Sequence, residues 1–190
     1  REHFPVLDEK IYVNTASAGL LSDELMAWRQ QHESGFLTGG SDFKTHAMRE
    51  GIPEVRRTVA DFFGAQENNT ALVPNFSLGL NILLEGLQKD HKVLLIRSDY
   101  PSVNWPFEYR GFPVFYAELD ENLENNILEK IRSDKISILA LSLVQWTNGI
   151  KIDMNFLKRL KQEFPQLIII ADGTQFCGTT DCHFEQSPLD

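Results

Sequence analysis

Near the C-terminus, Leu167-Ile168-Ile169-Ile170-Ala171 runs without a break into Asp172-Gly173-Thr174-Gln175. Four aliphatic residues and an alanine are too short a run for a helix and too apolar for a strand with one wet face. They predict a buried parallel strand that delivers Asp172 into a crevice, where open α/β sheets place their ligands. An unpaired buried carboxylate is costly. Asp172 is therefore a helix N-cap, half of a structural ion pair, or a ligand-binding group.

Upstream, apolar runs recur at 71–73, 93–96, 114–116 and 136–143, and helical patterns lie between them at 77–87, 102–109, 123–132 and 154–164. Strands alternating with helices predict an α/β fold, a mainly parallel sheet covered on both faces. Before this region, Lys10 to Asn14 reads as a short extended segment leading into the small residues Thr15-Ala16-Ser17-Ala18-Gly19. Ser22 with Asp23 and Glu24 opens a helix to about Ser34, Gly39 to Asp42 breaks it, and a second helix over 48–63 stops at Gly64. No internal repeat or linker interrupts the pattern, so the chain reads as one α/β unit.

The chain has 190 residues and a formal net charge of −9, with its 18 Lys and Arg scattered. A surface that tracks nucleic-acid phosphates is not expected. No apolar stretch approaches membrane-spanning length, and residues 1–5 do not form a signal peptide. These features predict a cytoplasmic protein with no membrane partner. Cys177 and Cys182, the latter beside His183, are read as reduced structural thiols, and no metal is assigned, because the remaining histidines are dispersed.

Several strand ends carry chemistry. After Leu72-Val73-Pro74, the turn Asn75-Phe76-Ser77 opens an almost wholly apolar helix. Such a helix is expected to be buried, with an inward N-terminus suited to a phosphate. Ser77 is equally readable as its cap. The segment is neither a Walker loop nor a dinucleotide fingerprint. Tyr100, after the strand over 93–96, offers a ring face to a planar ligand, or simply packs in the core. Gln145 and Trp146 are expected at the crevice rim, whereas Asn148-Gly149 signals a tight turn. A planar, phosphorylated heterocycle with a basic ring nitrogen fits this set, because a carboxylate would keep that nitrogen protonated, as in pyridoxal phosphate enzymes.

From Tyr12-Val13-Asn14-Thr15-Ala16-Ser17 to Ala171-Asp172-Gly173-Thr174-Gln175 the sequence resembles the class V aminotransferases. This fold-type-I pyridoxal phosphate group includes cysteine desulfurases, selenocysteine lyases, kynureninases and isopenicillin-N-epimerase-like proteins. The resemblance implies a homodimer that binds pyridoxal 5'-phosphate and acts on an amino acid through an external aldimine, as a transaminase or as a lyase or desulfurase. It implies that Asp172 pairs with the pyridinium nitrogen and Gln175 with the phenolic oxygen. Ser77 and the Phe76 N–H would bind the phosphate, and Tyr100 would stack where many members place a histidine. Trp146, with Gln145, falls where several relatives have an asparagine near the cofactor. Asn14, Ala16 and Ser17 lie where relatives approach the substrate carboxylate. No lysine follows Asp172, so the Schiff-base lysine and the small C-terminal domain are expected beyond Asp190. Residues 1–190 are accordingly expected to be the N-terminal part of the cofactor-binding large domain, inactive alone. The competing reading is a non-catalytic α/β module that binds a phosphate or nucleotide.

Overall fold

The computed structural model describes residues 2–190. The chain divides into two compact units, 1–61 and 62–190.

The first unit is helical. After the short α1 (Val6–Glu9), Ser22 caps α2 (Asp23–His46), its hydroxyl accepting the Leu25 N–H at 3.1 Å. The expected break falls inside α2, at Gly40, whose φ of 51° and ψ of −125° kink the helix. There the chain folds back on itself. A Cβ on Gly35 would lie 2.3 Å from the Phe43 ring, so only glycine admits that ring. A π-helical turn over Ala47–Gly51 leads into α3 (Ile52–Phe62). Gly64, at φ 57°, follows as the expected stop.

The second unit carries the sheet. Four strands, β1 (Val93–Ile96), β2 (Val114–Ala117), β3 (Ile138–Ser142) and β4 (Ile168–Asp172), pair in the order β2-β1-β3-β4, all parallel. The helices α4 (Phe76–Glu85), α5 (Pro101–Tyr109), α6 (Leu123–Asp134) and α7 (Met154–Glu163) cover it. Because strand side chains alternate between faces, Leu94, Ile96, Leu139, Leu141 and Ile169 pack with Ile127 and Ile131 of α6 and Leu157 and Leu160 of α7. Val93, Leu95, Ile138 and Ala140 point the other way, against Leu80 and Leu84 of α4 and Val103 and Phe107 of α5. β1 and β3 are buried throughout, as interior strands of a doubly covered parallel sheet should be.

Two expectations fail. Residues 71–73 form no strand among the described residues. Val73 instead lies over Gly79, where a Cβ would meet its Cγ2 at 3.1 Å. The apolar helix α4 is not buried all round either. Leu80 and Leu84 face the sheet, while Ile82 is 60% exposed and Leu78 and Leu83 are also open. Apolar composition marks what a helix can bury, not what this chain supplies to cover it.

Candidate functional site

The strand order makes the crevice. Successive strands β1 and β2 lie on one side and β3 and β4 on the other, so connections diverge from β1 and β3 in opposite directions. The carboxyl ends of β1 and β3 are therefore the topological switch point, the ligand crevice of open α/β sheets.

Asp172 ends β4 and is 6% exposed. It is the register partner of Ser142. Two residues beyond Ile170 and Ala140, both side chains belong to the face that α4 and α5 cover. Asp172 caps no helix. Its Oδ1 accepts the Thr174 N–H at 2.8 Å and the Thr174 hydroxyl at 2.5 Å. Among the described residues, Oδ2 has no donor and no cation lies in ion-pair range. Of the three readings of this acid, the ligand group is the one the geometry leaves open.

On the same face, α4 and α5 bring their N-termini together. The Ser77 hydroxyl donates to the Ser102 hydroxyl at 3.0 Å. Ser77 is not the cap of α4. Asn75 is, its side chain accepting the Leu78 N–H at 2.9 Å. That leaves Ser77 in the first turn, and among the described residues the N–H groups of Phe76 and Ser77 have no acceptor. A helix N-terminus with spare amides and a hydroxyl favours an anion.

Tyr100 precedes α5 as its N-cap residue and is half-exposed. Its ring meets Trp146 edge-on, with centroids 5.7 Å apart. Both rings are exposed, so Tyr100 does not pack in the core, and Trp146 lies on the surface. Gln145 departs from expectation. It is 2% exposed, not at the rim. Its Nε2 donates to Asp99 Oδ2 at 3.2 Å and to the Ser142 carbonyl at 3.3 Å, while its Oε1 is buried without a partner. Asn148 is the turn residue expected, its side chain accepting the Ile150 N–H at 3.0 Å beside Gly149 at φ 72°. Gln175 follows β4 half-buried, in the turn where the Phe176 and Cys177 N–H groups donate to the Gly173 carbonyl.

Asn14, Ala16 and Ser17 lie in the first unit. They form an exposed turn in which the Ser17 and Ala18 N–H groups donate to the Asn14 carbonyl and the Tyr12 hydroxyl reaches the Ala18 carbonyl at 2.7 Å. Cys177 and Cys182 are free and half-buried. Burial raises both thiol pKa values, and for Cys177 the nearby Cys182 and Asp172 add to the effect. Raised pKa values make them poor nucleophiles.

Sequence reasoning missed Asp99. It is 4% exposed and sits just past β1, as Asp172 ends β4. The same signal, an acid at the end of an apolar strand, was available for both.

No family model and no curated protein matches the sequence. Solved structures do. A lysine-to-alanine mutant of C-DES with glycine covalently linked to its PLP cofactor superposes with a TM-score of 0.90 at 17% identity, over 100% of this chain and 53% of that one. Cysteine desulfurase CsdA from Escherichia coli gives 0.81 at 17% identity, over 100% of this chain and 51% of that one. The SepCysS–SepCysE N-terminal domain complex gives 0.60 at 14% identity, over 73% and 40%. The chain thus spans about half the length of the first two structures. No helix among the described residues is long and apolar enough to cross a membrane. The fold of this chain is thus that of about half of C-DES and about half of the desulfurase CsdA.

Proposed function

We propose that the full-length protein binds pyridoxal 5'-phosphate at the carboxyl ends of β1, β3 and β4 and uses it on an amino-acid substrate, in the manner of class V transaminases, lyases or desulfurases. The observation that carries this reading is that Asp172, with Oδ1 held by Thr174, takes no donor on Oδ2 among the described residues, on the face shared with the N-terminus of α4. The residues present fit the cofactor on two further counts. The first amides of α4 stand ready for a phosphate, and the buried Gln145 Oε1 lacks a protein donor.

In this reading each side chain has one job. Asp172 keeps a proton on the ring nitrogen through Oδ2, while Thr174 fixes the carboxylate's angle through Oδ1. Ser77 and the Phe76 and Ser77 N–H groups hold the phosphate at the positive end of α4. Tyr100, in edge contact with Trp146, would lie against the ring. Gln175 would hold the phenolic oxygen. Bound there, the cofactor would supply an electron sink for amino-acid chemistry. The lysine that would hold it covalently, and the small domain, are proposed to lie outside these 190 residues. A homodimer is proposed as well, supported by the exposed apolar Leu78, Ile82 and Leu83 of α4.

Titrating the full-length protein with pyridoxal 5'-phosphate, and with a nucleotide such as ATP as control, tests the reading. Saturable binding of the cofactor alone, weakened at least tenfold by Asp172→Ala, is expected. Preference for the nucleotide, or an Asp172→Ala protein with unchanged affinity, would point to the non-catalytic module instead.

A further inference from the structure

We infer that Asp99 is a positioning residue of this site: it fixes the Gln145 amide so that its oxygen, not its nitrogen, is offered to a bound ligand. The inference rests on the cofactor reading above for the ligand's identity, but the bracing itself is independent of it.

Asp99 is 4% exposed, and both of its oxygens are occupied by donors. Oδ1 accepts the Tyr100 N–H at 2.6 Å and the Ser142 hydroxyl at 2.6 Å. Oδ2 accepts the Ser142 N–H at 2.7 Å and Gln145 Nε2 at 3.2 Å. Four donors from two strand ends converge on one carboxylate at the switch point. No cation is among them, so hydrogen bonds alone compensate its burial. The backbone is bent to allow this. Ser98 sits at φ 65°, a left-handed conformation unusual for a residue with a side chain, and the Asp99 N–H turns back to the Ile96 carbonyl.

Only one participant is incompletely satisfied. Gln145 spends its nitrogen on Asp99 and the Ser142 carbonyl, and its Oε1 is left buried with no donor. A buried acceptor without a partner is costly in a finished structure. Flipping the amide would set its oxygen against the Asp99 carboxylate and the Ser142 carbonyl, so the orientation is forced. The same carboxylate tethers the backbone of Tyr100, which carries the rim ring. Asp99 therefore orders two groups of the candidate site without being required to touch a ligand.

The test is a double-mutant cycle on the full-length protein, combining Asp99→Asn with Gln145→Ala. Pyridoxal 5'-phosphate affinity is read by tryptophan fluorescence, and the side-chain amide protons of Gln145 by NMR without ligand. Asp99→Asn is expected to speed exchange of the Gln145 amide protons and to weaken binding about five- to tenfold. In the Gln145→Ala background it should add less than about twofold, because residues acting through one another are not additive. Additive losses, or unchanged amide exchange in Asp99→Asn, would overturn the inference. If the wild type binds no cofactor while the amide protons still respond to Asp99→Asn, the bracing stands and the cofactor reading fails. Should Asp99→Asn not fold, Ser142→Ala, which removes one hydroxyl from the same carboxylate, takes its place in the cycle with the same expectations.

Discussion

Two acids close two strands of one sheet, and the difference between them lies in their donors. Asp99 is satisfied on both oxygens, whereas Asp172 is held on one and open on the other. In the proposed site the first braces and the second binds. That contrast was not legible from the sequence, since both read as an acid after an apolar run, and only the third dimension assigns their partners. The thiols carry a prediction at the same scale. Burial, then the neighbouring Cys182 and Asp172, raises the Cys177 pKa above its ordinary 9.0. The folded thiol therefore keeps its proton where the unfolded one loses it. The stability this contributes is full below pH 9.0 and is lost as pH rises through the folded value. Alkylation of native Cys177 by iodoacetamide should stay slow at pH 9 and accelerate on adding urea; equal rates in both states would contradict the assignment. Tyr116 behaves alike. Burial first, then its hydrogen bond to Glu108, raises its pKa from 10.0 to about 12, with Arg97 opposing. Ultraviolet titration of the folded protein should show one tyrosine ionising near pH 12, and Glu108→Gln should lower that value.

Among the elements, the strands were the most legible. A run such as Val93 to Ile96, apolar at every position, has few alternatives to an interior parallel strand, and it forms one with those bounds. The run over 71–73 shows the limit, because a strand exists only where another strand pairs with it, and three apolar residues do not encode whether a partner is present. Helix starts were legible where a side chain with an obvious acceptor stands at the boundary, as at Ser22. At α4 the sequence pointed to Ser77, two residues past the cap that local geometry chose, Asn75. Asn75→Ala should therefore cost about 1 kcal/mol in urea unfolding. Ser77→Ala should cost less, while weakening phosphate binding. Leu84, wholly buried on the same helix, should cost about 2–5 kcal/mol when cut to alanine. A loss as small as that of an exposed neighbour such as Ile82→Ala would show that α4 does not pack as described.

Across the whole molecule, the two units differ in kind. Residues 62–190 enclose both faces of the sheet. Within residues 2–61 only Ala60 is buried, and Trp28, Leu37 and Val13 are exposed. An α/β class was legible from the alternation of patterns, whereas helical periodicity in α2 and α3 shows an apolar face without showing what covers it. A 62–190 fragment should unfold in one cooperative transition, and a 1–61 peptide should show none by calorimetry. The central claim concerns the sheet's carboxyl edge, and a crystal structure of the full-length protein grown with pyridoxal 5'-phosphate tests it most directly. The account predicts the ring nitrogen within hydrogen-bond distance of Asp172 Oδ2 and the phosphate on the Ser77 hydroxyl at the start of α4. A cofactor bound elsewhere, or an anion at α4 with the ring turned away from Asp172, would contradict it.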